Sequence, residues 1–375
     1  MKKQKTKIAI VANSTWNIYN FRLNLVELLD KEQYELLVIA PVDHYISYLN
    51  KYPKVRHIHL HKLSRKSTNP LKDLALMQEL YQIYKTEKPD LVIHYTVKPN
   101  IYGGFAAKMA GVKYLSTITG LGYTFIHNGL VKKITKELYR LAFQHSEKIV
   151  FENTDDRLMF IQEQISTSDK SISIKGCGVN IDHFSPNGYI KQKDKVIFTF
   201  IGRLLHDKGI AEFVEAARQA KAQCPNTEFW VIGDIDNQNP AAISQKLLVS
   251  WMQEKVIRYF GPTDDVRYFI KRSDCIVLPS YREAIPRVVQ EGMAMKKPII
   301  TTDTPGCREA VDEGKNGFLV PIKDAYALAT AMTRFYALDE KRISAMGDYS
   351  RDKAVSEFDD RLIAQQLLDV IEGIL

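Results

Sequence analysis

Cysteine is scarce in this chain of 375 residues, which has only Cys177, Cys224, Cys275 and Cys307. None of them stands at C-x-x-C spacing, and Cys275 lies inside an apolar segment that predicts a buried strand. This spacing argues against a zinc site and against a disulfide framework. We therefore expect reduced thiols in a cytoplasmic protein.

Long hydrophobic runs are also missing. No apolar run approaches the roughly 20 residues that a helix needs to span a bilayer. The first residues, MKKQKTKIAIVANS, begin with basic residues as a signal peptide does. Their apolar run IAIVA is shorter than the core of such a signal, and it fits a first β-strand better.

The overall composition is that of a soluble globular protein, with 45% hydrophobic and 26% charged residues. Because single cores stop growing near roughly 250–300 residues, the length predicts two domains. The formal net charge of +8 favours an anionic partner. Nucleic acid, an anionic membrane surface and phosphorylated small molecules all satisfy that condition.

Apolar runs of strand length alternate with amphipathic runs along both halves of the chain. The near-continuous apolar strands predict parallel sheets covered on both faces. The predicted strands are KIAIVA, YELLVIAP, DLVIHYT, KYLSTIT and EKIVFEN in the first half, and VIFTFIG, EFWVIGD, VIRYFG, CIVLPS, PIITTD and FLVP in the second. We therefore expect an α/β protein with two Rossmann-like, doubly wound domains.

The aperiodic stretch 185–195 separates the two halves. We expect an N-terminal domain over 1–185, a C-terminal domain over 186–358, and a last amphipathic helix over 359–375 that packs back on the first domain. Because doubly wound sheets bind ligands beyond the carboxyl ends of their strands, the cleft between two such domains is the expected site.

The stretch FIGRLLHDKGI places two cations at a strand-to-helix turn. The strand ends at Gly202, Arg203 follows, and Lys208 precedes a predicted helix. Arg and Lys at this spacing can converge on one anion, to which the helix N-terminus adds free N–H groups. Two solvated cations beside a turn glycine would give the same pattern.

The stretch SYREAIPRVVQEGMA carries Glu283 and Glu291 around a predicted helix start. Pro286 suits the first helical position, so the N–H groups of Arg287 and Val288 would face a phosphate. Glu283 would reach sugar hydroxyls and Glu291 a ribose. Alternatively, Glu283 only complements the helix dipole and Glu291 belongs to a solvated helix face.

Taken together, GRLLHDKG, PSYREAIPRVVQEGMAMKKPIITTDTPGCREAV and EGKNGFLVP resemble the donor-binding half of the retaining glycosyltransferases of family 4, which have the GT-B fold. Glu283 and Glu291 match the family's E-x7-E signature. The resemblance implies that Glu283 holds the donor sugar and Glu291 the nucleotide ribose. It also implies that Arg203 and Lys208 neutralise the donor diphosphate. Ala284 stands where the family usually has glycine.

The resemblance extends over nearly the whole chain. It implies that Arg258 and the backbone near Phe260–Pro262 lie near the base. It also implies that Gly306 forms a turn approaching the nucleotide closely. Glu309 is either a supporting residue or an acid at a helix start.

A D-x-D sequence, Asp234-Ile235-Asp236, resembles the metal-binding motif of a different glycosyltransferase fold. Here it follows the second strand of a second domain, in an Asn-rich loop that turn chemistry explains. We expect no metal and no other cofactor, because two cations and a helix N-terminus already address the diphosphate charge.

In the first domain, the segments NSTWNIYNFR, HYTVKPNIYGG and TITGLGYTF would face the same cleft. The candidate acceptor-side residues are Asn13, Asn17, His94, Thr119, Gly120 and Gly122. Many family members carry histidine where Thr119 stands, so a base in this domain is in doubt, and the leaving phosphate can take the acceptor's proton. His94 lies within a strand, where a structural role is the alternative.

These segments and RKSTNPLKDL are similar to a subgroup that extends undecaprenyl-diphosphate-linked sugars, such as the addition of N-acetylgalactosamine to diacetylbacillosamine. The basic amphipathic helix expected over Gly129–Gln144 would lie on an anionic membrane, unless its apolar stripe packs in the core. His61, Lys62, Arg65 and Lys66 add a second basic stretch.

The sequence therefore predicts a metal-independent retaining glycosyltransferase, peripheral at the cytoplasmic membrane face, with a UDP-sugar donor and a lipid-diphosphate-linked acceptor. A UDP-sugar epimerase or hydrolase on the same fold is the alternative. A nicotinamide-dependent oxidoreductase would need G-x-G-x-x-G after an early strand, where NSTWN stands instead. A further alternative is a non-catalytic basic scaffold that binds RNA or a membrane. Because the chain has no aromatic–basic RNA-binding motif, we expect no nucleic-acid partner.

Overall fold

The structure, a computed structural model, describes residues 5–32, 34–64, 69–121, 129–187, 195–237 and 239–375. The chain divides into two compact units. One comprises Met1–Gly178 together with Asp360–Leu375, and the other comprises Val179–Asp359. The first unit therefore ends before the boundary at residue 185 that the aperiodic stretch suggested.

The first unit is built on a parallel sheet with strand order β3-β2-β1-β4-β5-β6-β7. Its strands are β1 (Lys7–Val11), β2 (Glu35–Ala40), β3 (Arg56–His59), β4 (Leu91–Tyr95), β5 (Lys113–Ile118), β6 (Lys148–Phe151) and β7 (Ser171–Ser173). Ile8 and Ile10 pack into one core, and Ala9 and Val11 pack into another on the opposite face. The sheet is thus covered on both sides, as its continuous apolar strands predicted.

Helices connect these strands. They are α1 (Thr15–Phe21), α2 (Leu23–Lys31), α3 (Pro70–Glu87), α4 (Gly104–Ala110), α5 (Leu130–Phe143), α6 (Thr154–Gln162) and the C-terminal α13 (Asp360–Glu372), with a 3-10 helix at His44–Asn50 and a π-helical turn at Pro99–Gly103. Ile363, Leu367 and Ile371 of α13 share a core with Leu25 and Leu29 of α2. The last helix therefore belongs to the first unit.

The second unit has a parallel sheet with strand order β10-β9-β8-β11-β12-β13. Its strands are β8 (Val196–Ile201), β9 (Thr227–Ile232), β10 (Arg258–Tyr259), β11 (Cys275–Leu278), β12 (Ile299–Thr302) and β13 (Gly317–Val320). Its helices are α7 (Ile210–Gln223), α8 (Gln245–Gln253), α9 (Arg267–Arg272), α10 (Arg287–Ala294), α11 (Ala325–Tyr336) and α12 (Glu340–Glu357), with a 3-10 helix at His206–Lys208.

In each sheet, the chain starts at an inner strand, adds two strands to one side and then moves to the other side. This order is that of doubly wound nucleotide-binding folds, which bind ligands where the direction of strand addition reverses. The reversal lies between β8 and β11 in the second unit, and between β1 and β4 in the first.

Among the helices that the structure describes, none combines the length and apolar character that crossing a bilayer requires.

The strand predictions are confirmed for the inner strands. Two edge strands, β3 (RHIH) and β7 (SIS), were not predicted, because they are short and carry few large apolar residues. Arg22 separates α1 from α2.

Candidate functional site

The reversal point of the second sheet brings two loops together. The loop after β8 carries Gly202, Arg203 and Lys208, and the loop after β11 carries Glu283. Lys208 Nζ forms a direct ion pair with Glu283 Oε1. The two side chains are only 23% and 13% exposed, so solvent screens this pair less than a surface pair. The structure thus joins two of the predicted site residues.

Gly209 explains why these loops can lie so close. Its φ is +72°, and a Cβ built there would be 2.1 Å from the carbonyl oxygen of Pro279 at the end of β11. Beside it, the N–H of Tyr281 donates to the carbonyl of Asp207 over 2.9 Å. Only glycine allows this approach, which places Lys208 opposite Glu283.

Gly306 fixes the Glu283 loop from the other side. Its φ is +78°, and a Cβ there would be 1.7 Å from the carbonyl oxygen of Ala284. The N–H of Glu283 donates to the carbonyl of Pro305 over 3.3 Å. Gly306 therefore approaches the backbone of the Glu283 loop closely, and its approach to the nucleotide stays a prediction.

Arg203 pairs with the second acid of the D-x-D sequence. Its Nη1 lies 3.0 Å from Asp236 Oδ2, and its side chain is 56% exposed. The two loops meet because Gly233 has φ +142° and a Cβ there would be 1.9 Å from the carbonyl oxygen of Gly202. Among the described residues, no group of three or more His, Cys, Asp and Glu side chains is placed to hold a metal ion. Asp236 contacts a cation of the candidate site, which the turn interpretation did not foresee.

Helix α10 lies next to these loops and carries Glu291. Pro286 is the residue before the helix, with an extended ψ of 124°, so its predicted place as the first helical residue is wrong by one position. Pro286 offers no side-chain cap, and the first N–H groups of a helix have no intrahelical acceptor. The N–H groups of Arg287 and Val288 thus lie at the amino-terminal end of an eight-residue helix, as expected.

Glu291 is 8% exposed, so it does not lie on a solvated helix face. Burial raises the pKa of its carboxyl group, and the positive charge of Arg287 partly opposes that shift. Arg287 Nε lies 2.9 Å from Glu291 Oε1.

Burial raises the pKa of the Cys307 thiol to about 11, with a further contribution from the charge of Glu283. This thiol therefore stays protonated at neutral pH.

Arg258 makes two contacts within the second unit. It begins the two-residue strand β10, and its guanidinium lies 3.5 Å from Glu228, the second residue of β9. The guanidinium carbon also lies 5.1 Å from the centre of the Phe260 ring. The donor-binding role of Arg258 stays a prediction.

In the first unit, Asn13 follows β1, and Thr119 and Gly120 follow β5, so all three lie at the carboxyl ends of strands. Asn17 is in α1 and is 8% exposed. Gly122, together with Arg65 and Lys66 of the second basic stretch, lies outside the residues that the structure describes.

His94 lies inside the core and is fully buried. Its Nε2 is 2.9 Å from the hydroxyl of Tyr84, and a Cβ at Gly103 would be 2.6 Å from that nitrogen. Burial lowers the pKa of His94 to about 3, so its imidazole is neutral. The acceptor-side assignment of His94 is corrected to a structural role, because no part of it reaches solvent.

Sequence reasoning also missed a buried ion pair in the first unit. Arg22 Nη2 lies 3.0 Å from Glu152 Oε1, and both residues are 6% exposed. The guanidinium carbon is 4.1 Å from the centre of the Tyr95 ring. The sequence signal was an arginine between Phe21 and Leu23, but its partner is distant in sequence.

The geometry of the second unit suits an anion with two negative charges. Arg203 and Lys208 extend from one loop, and α10 adds the positive end of its dipole nearby. Each cation is paired with a carboxylate, Asp236 or Glu283. A diphosphate can replace these carboxylates as the partner of both cations.

Two family models match this chain. The model described as "Glycosyl transferases group 1" matches residues 183–353. The model described as "Glycosyl transferase 4-like" matches residues 7–153. The matched ranges correspond to the second unit and to most of the first.

Two curated relatives match along most of their length. The N,N'-diacetylbacillosaminyl-diphospho-undecaprenol alpha-1,3-N-acetylgalactosaminyltransferase of Campylobacter jejuni is 27% identical, with 98% of this chain and 99% of the relative covered. The UDP-Gal:alpha-D-GlcNAc-diphosphoundecaprenol alpha-1,3-galactosyltransferase of Escherichia coli is 27% identical, with 88% of this chain and 87% of the relative covered.

Solved structures share the fold. A glycosyltransferase from Rickettsia africae superposes with a TM-score of 0.80 at 22% identity, covering 99% of both chains. HepE from Anabaena, solved with UDP and glucose, superposes with a TM-score of 0.77 at 18% identity, covering 98% of this chain and 99% of that one. The likeness therefore extends over both units.

Proposed function

We propose that the chain is a glycosyltransferase that moves a sugar from a UDP-sugar to an undecaprenyl-diphosphate-linked saccharide; the matches to the two glycosyl transferase models and to the curated relatives support this proposal. The predicted GT-B fold and the predicted glycosyltransferase activity are confirmed. The matches described above give no support to the epimerase or hydrolase alternative. The sugar we propose is an N-acetylhexosamine, and the glycan is a bacterial surface polysaccharide or a glycoprotein glycan.

The observation that carries the proposal is the Lys208–Glu283 pair at the reversal point of the second sheet. In the proposed site, Lys208 and Arg203 bind the diphosphate of the donor, and the N–H groups at Arg287 and Val288 bind a phosphate oxygen. Glu283 is released from Lys208 and accepts hydrogen bonds from the donor sugar. The buried Glu291 accepts from the ribose.

The chemical step that we propose retains the anomeric configuration. The bond from the anomeric carbon to the diphosphate oxygen breaks, and the acceptor hydroxyl forms the new bond on the same face. The acceptor's proton passes to the departing diphosphate oxygen, and the two cations stabilise the one negative charge that develops on that oxygen as the bond breaks. Thr119 cannot serve as a base, and this route does not require one.

The acceptor class is supported by the names of the two relatives, both of which act on sugars linked through a diphosphate to undecaprenol. Such an acceptor is held in a membrane. We therefore place the enzyme at the cytoplasmic face of the membrane as a peripheral protein.

Helix α5 is the surface that we propose for membrane contact. Leu130, Val131 and Ile134 of its first turns are 72%, 56% and 50% exposed, and Lys133 among them is exposed too. The other end of the helix packs in the core through Tyr139 and Phe143. The apolar stripe is thus divided between the core and the surface. Exposed apolar residues beside lysines suit the boundary of an anionic bilayer.

Replacing Ile134 by glutamate should weaken binding to vesicles that contain anionic lipid by about tenfold, because one apolar contact is lost and a repelled charge is added. Co-sedimentation with such vesicles measures this effect. Met252→Glu is the matched control, since Met252 is 45% exposed in the second unit. Equal loss in both variants, or no loss in Ile134→Glu, would contradict the surface assignment.

The function itself is tested by mass spectrometry of lipid-linked products. The full chain is incubated with a panel of UDP-sugars and an undecaprenyl-diphosphate-linked N-acetylhexosamine. We expect a mass increase of one sugar, release of UDP, and an NMR spectrum of the product that shows the donor's anomeric configuration. We also expect equal yield in EDTA, because Arg203 and Lys208 supply the positive charge. Hydrolysis or epimerisation without a longer glycolipid would refute the proposal, and a need for metal would refute its metal-independent form.

A further inference from the structure

An exposed group of aromatic rings lies at the carboxyl ends of β1 and β2 in the first unit. Trp16 and Tyr19 of α1 are 38% and 43% exposed. The Tyr19 ring centre is 5.0 Å from that of Tyr45, in the 3-10 helix after β2, and His44 is 4.0 Å from Tyr45. Trp16 lies edge-on to Phe21 at 5.1 Å. We call Trp16, Tyr19 and Tyr45 the aromatic platform.

A single carboxylate holds the two halves of the platform together. Asp43 accepts hydrogen bonds from the N–H of Trp16 at 3.0 Å, from the N–H of Tyr45 at 2.9 Å, and from the hydroxyl of Thr15. The N–H of Asp43 donates to the Thr15 hydroxyl at 3.0 Å. Burial alone would raise the pKa of Asp43, but these bonds outweigh it and lower that pKa. The aromatic platform is therefore a fixed surface.

Its place in the fold is that of a ligand site. Strand β1 is the one at which the first sheet reverses its direction of strand addition, and such sheets bind ligands beyond the carboxyl ends of these strands. Exposing a large aromatic side chain to water is unfavourable, and groups of such side chains at the surface are typical of recognition sites. Folding alone does not require Trp16 and Tyr19 to be exposed here.

A buried polar atom on the same helix also points to a ligand. Asn17 follows Trp16 directly and is 8% exposed, yet its Oδ1 accepts no hydrogen bond from any described residue. A buried acceptor without a donor costs about 1–3 kcal/mol, so a hydroxyl or amide N–H of a bound molecule would relieve that cost. Saccharides carry such donors, and N-acetylhexosamines carry both kinds.

We propose that the aromatic platform binds the pyranose ring of the acceptor saccharide, with Asn17 accepting from one of its hydroxyl or acetamido groups. The inference rests on the proposed function and names the residues that select the acceptor. The C–H bonds on one face of a pyranose ring pack against aromatic faces, while its hydroxyls meet the polar side chains around them.

A neutral ligand fits this surface better than a membrane does. Residues 13–21 and 41–48, which form the platform and its surroundings, include no lysine or arginine. Helix α5, by contrast, has lysines among its exposed apolar residues. An interfacial surface on an anionic bilayer would need those cations.

Tryptophan fluorescence tests the proposal without requiring turnover. The chain has three tryptophans, and Trp230 and Trp251 are 3% and 4% exposed, so Trp16 is the one that a ligand in solution can reach. The probe is a short-chain prenyl-diphosphate N-acetylhexosamine, compared with the same prenyl diphosphate without sugar. We expect a saturable change with the first probe only, and its loss in Trp16→Phe. The same change with both probes, or none with either, would overturn the assignment.

Kinetics provide the second measurement. Trp16→Ala should raise the KM for the acceptor about five- to tenfold, while the KM for the UDP-sugar stays the same. Trp16→Phe should recover part of this loss, because a smaller aromatic face remains. An unchanged acceptor KM in an active enzyme would refute the aromatic platform and leave the proposed function intact. Failure of the wild type to extend any glycolipid would refute the function, while the fluorescence result would still report on the platform.

Discussion

Replacing Lys208 by alanine is expected to lower kcat/KM by about 10²–10³-fold, as the loss of one preorganised group facing a developing anion does. Lys208 is partly buried, and its side chain is held against Glu283 before any donor binds. No other described lysine is seen to pair with that carboxylate. The loss should appear mainly in kcat, because negative charge on the diphosphate grows as the bond to the sugar breaks.

Steady-state kinetics with a fixed glycolipid acceptor measure this effect. Lys296→Ala is the matched control, since Lys296 is exposed and its Nζ pairs with Asp348 Oδ1 at 2.6 Å. Lys208→Arg should fall between the two, because it keeps the charge but not the shape of the ammonium group. A Lys208→Ala enzyme within about threefold of wild type would refute the assignment, given the rate factor expected for such a group.

Replacing Glu152 by methionine should destabilise the first unit by about 3–5 kcal/mol, because it leaves the buried guanidinium of Arg22 without its carboxylate. Urea unfolding measures this effect as a lower midpoint. Burial raises the pKa of Glu152, and the charge of Arg22 opposes that shift. Each charged group of the pair is therefore stabilised by the other.

Two comparisons separate the buried pair from a general effect of substitution. Lys31→Ala breaks an exposed pair with Glu27 and should cost at most about 1 kcal/mol. The double variant Arg22→Met with Glu152→Met removes both charges and should recover most of the lost stability. A double variant as unstable as Glu152→Met alone would show that packing, and not the unpaired charge, causes the loss.

The sequence predicts that Lys208 and Glu283 belong to one site, for a physical reason, although it did not predict their ion pair. Continuous apolar strands predict a parallel sheet, and the ends of its strands gather at one edge. Residues that follow β8 and β11 must therefore meet if those strands are neighbours. The strand order was not visible in the sequence, and the resemblance to a family supplied it.

Pro286 and His94 show where sequence reasoning ends. Pro286 differs by one position, because proline suits both the residue before a helix and the first one in it. His94 occupies a strand whose residues are all buried, and an alternating pattern that would separate inner from outer residues is missing there.

Asp236 and the aromatic platform were missed for another reason. The sequence placed Asp236 in a turn, which is correct, but its contact with Arg203 depends on how closely the loops after β8 and β9 approach. The sequence placed Trp16 and Tyr19 in a segment after the first strand, but it did not show that their rings are exposed. Their exposure follows from the short length of α1 and from the position of Asp43, which only the folded chain defines.

The return of α13 to the first unit means that the second unit is an insertion within the first. Gly178 lies directly against Asp360, since a Cβ there would be 2.5 Å from the Cα of Asp360. On the other side of the junction, the N–H of Val179 donates to the carbonyl of Phe358 over 2.8 Å. Splicing residue 178 to residue 360 would thus give one module, and 179–359 would give the other with adjacent ends. A fragment that stops at residue 178 would instead leave Leu25 and Leu29 uncovered and prone to aggregation.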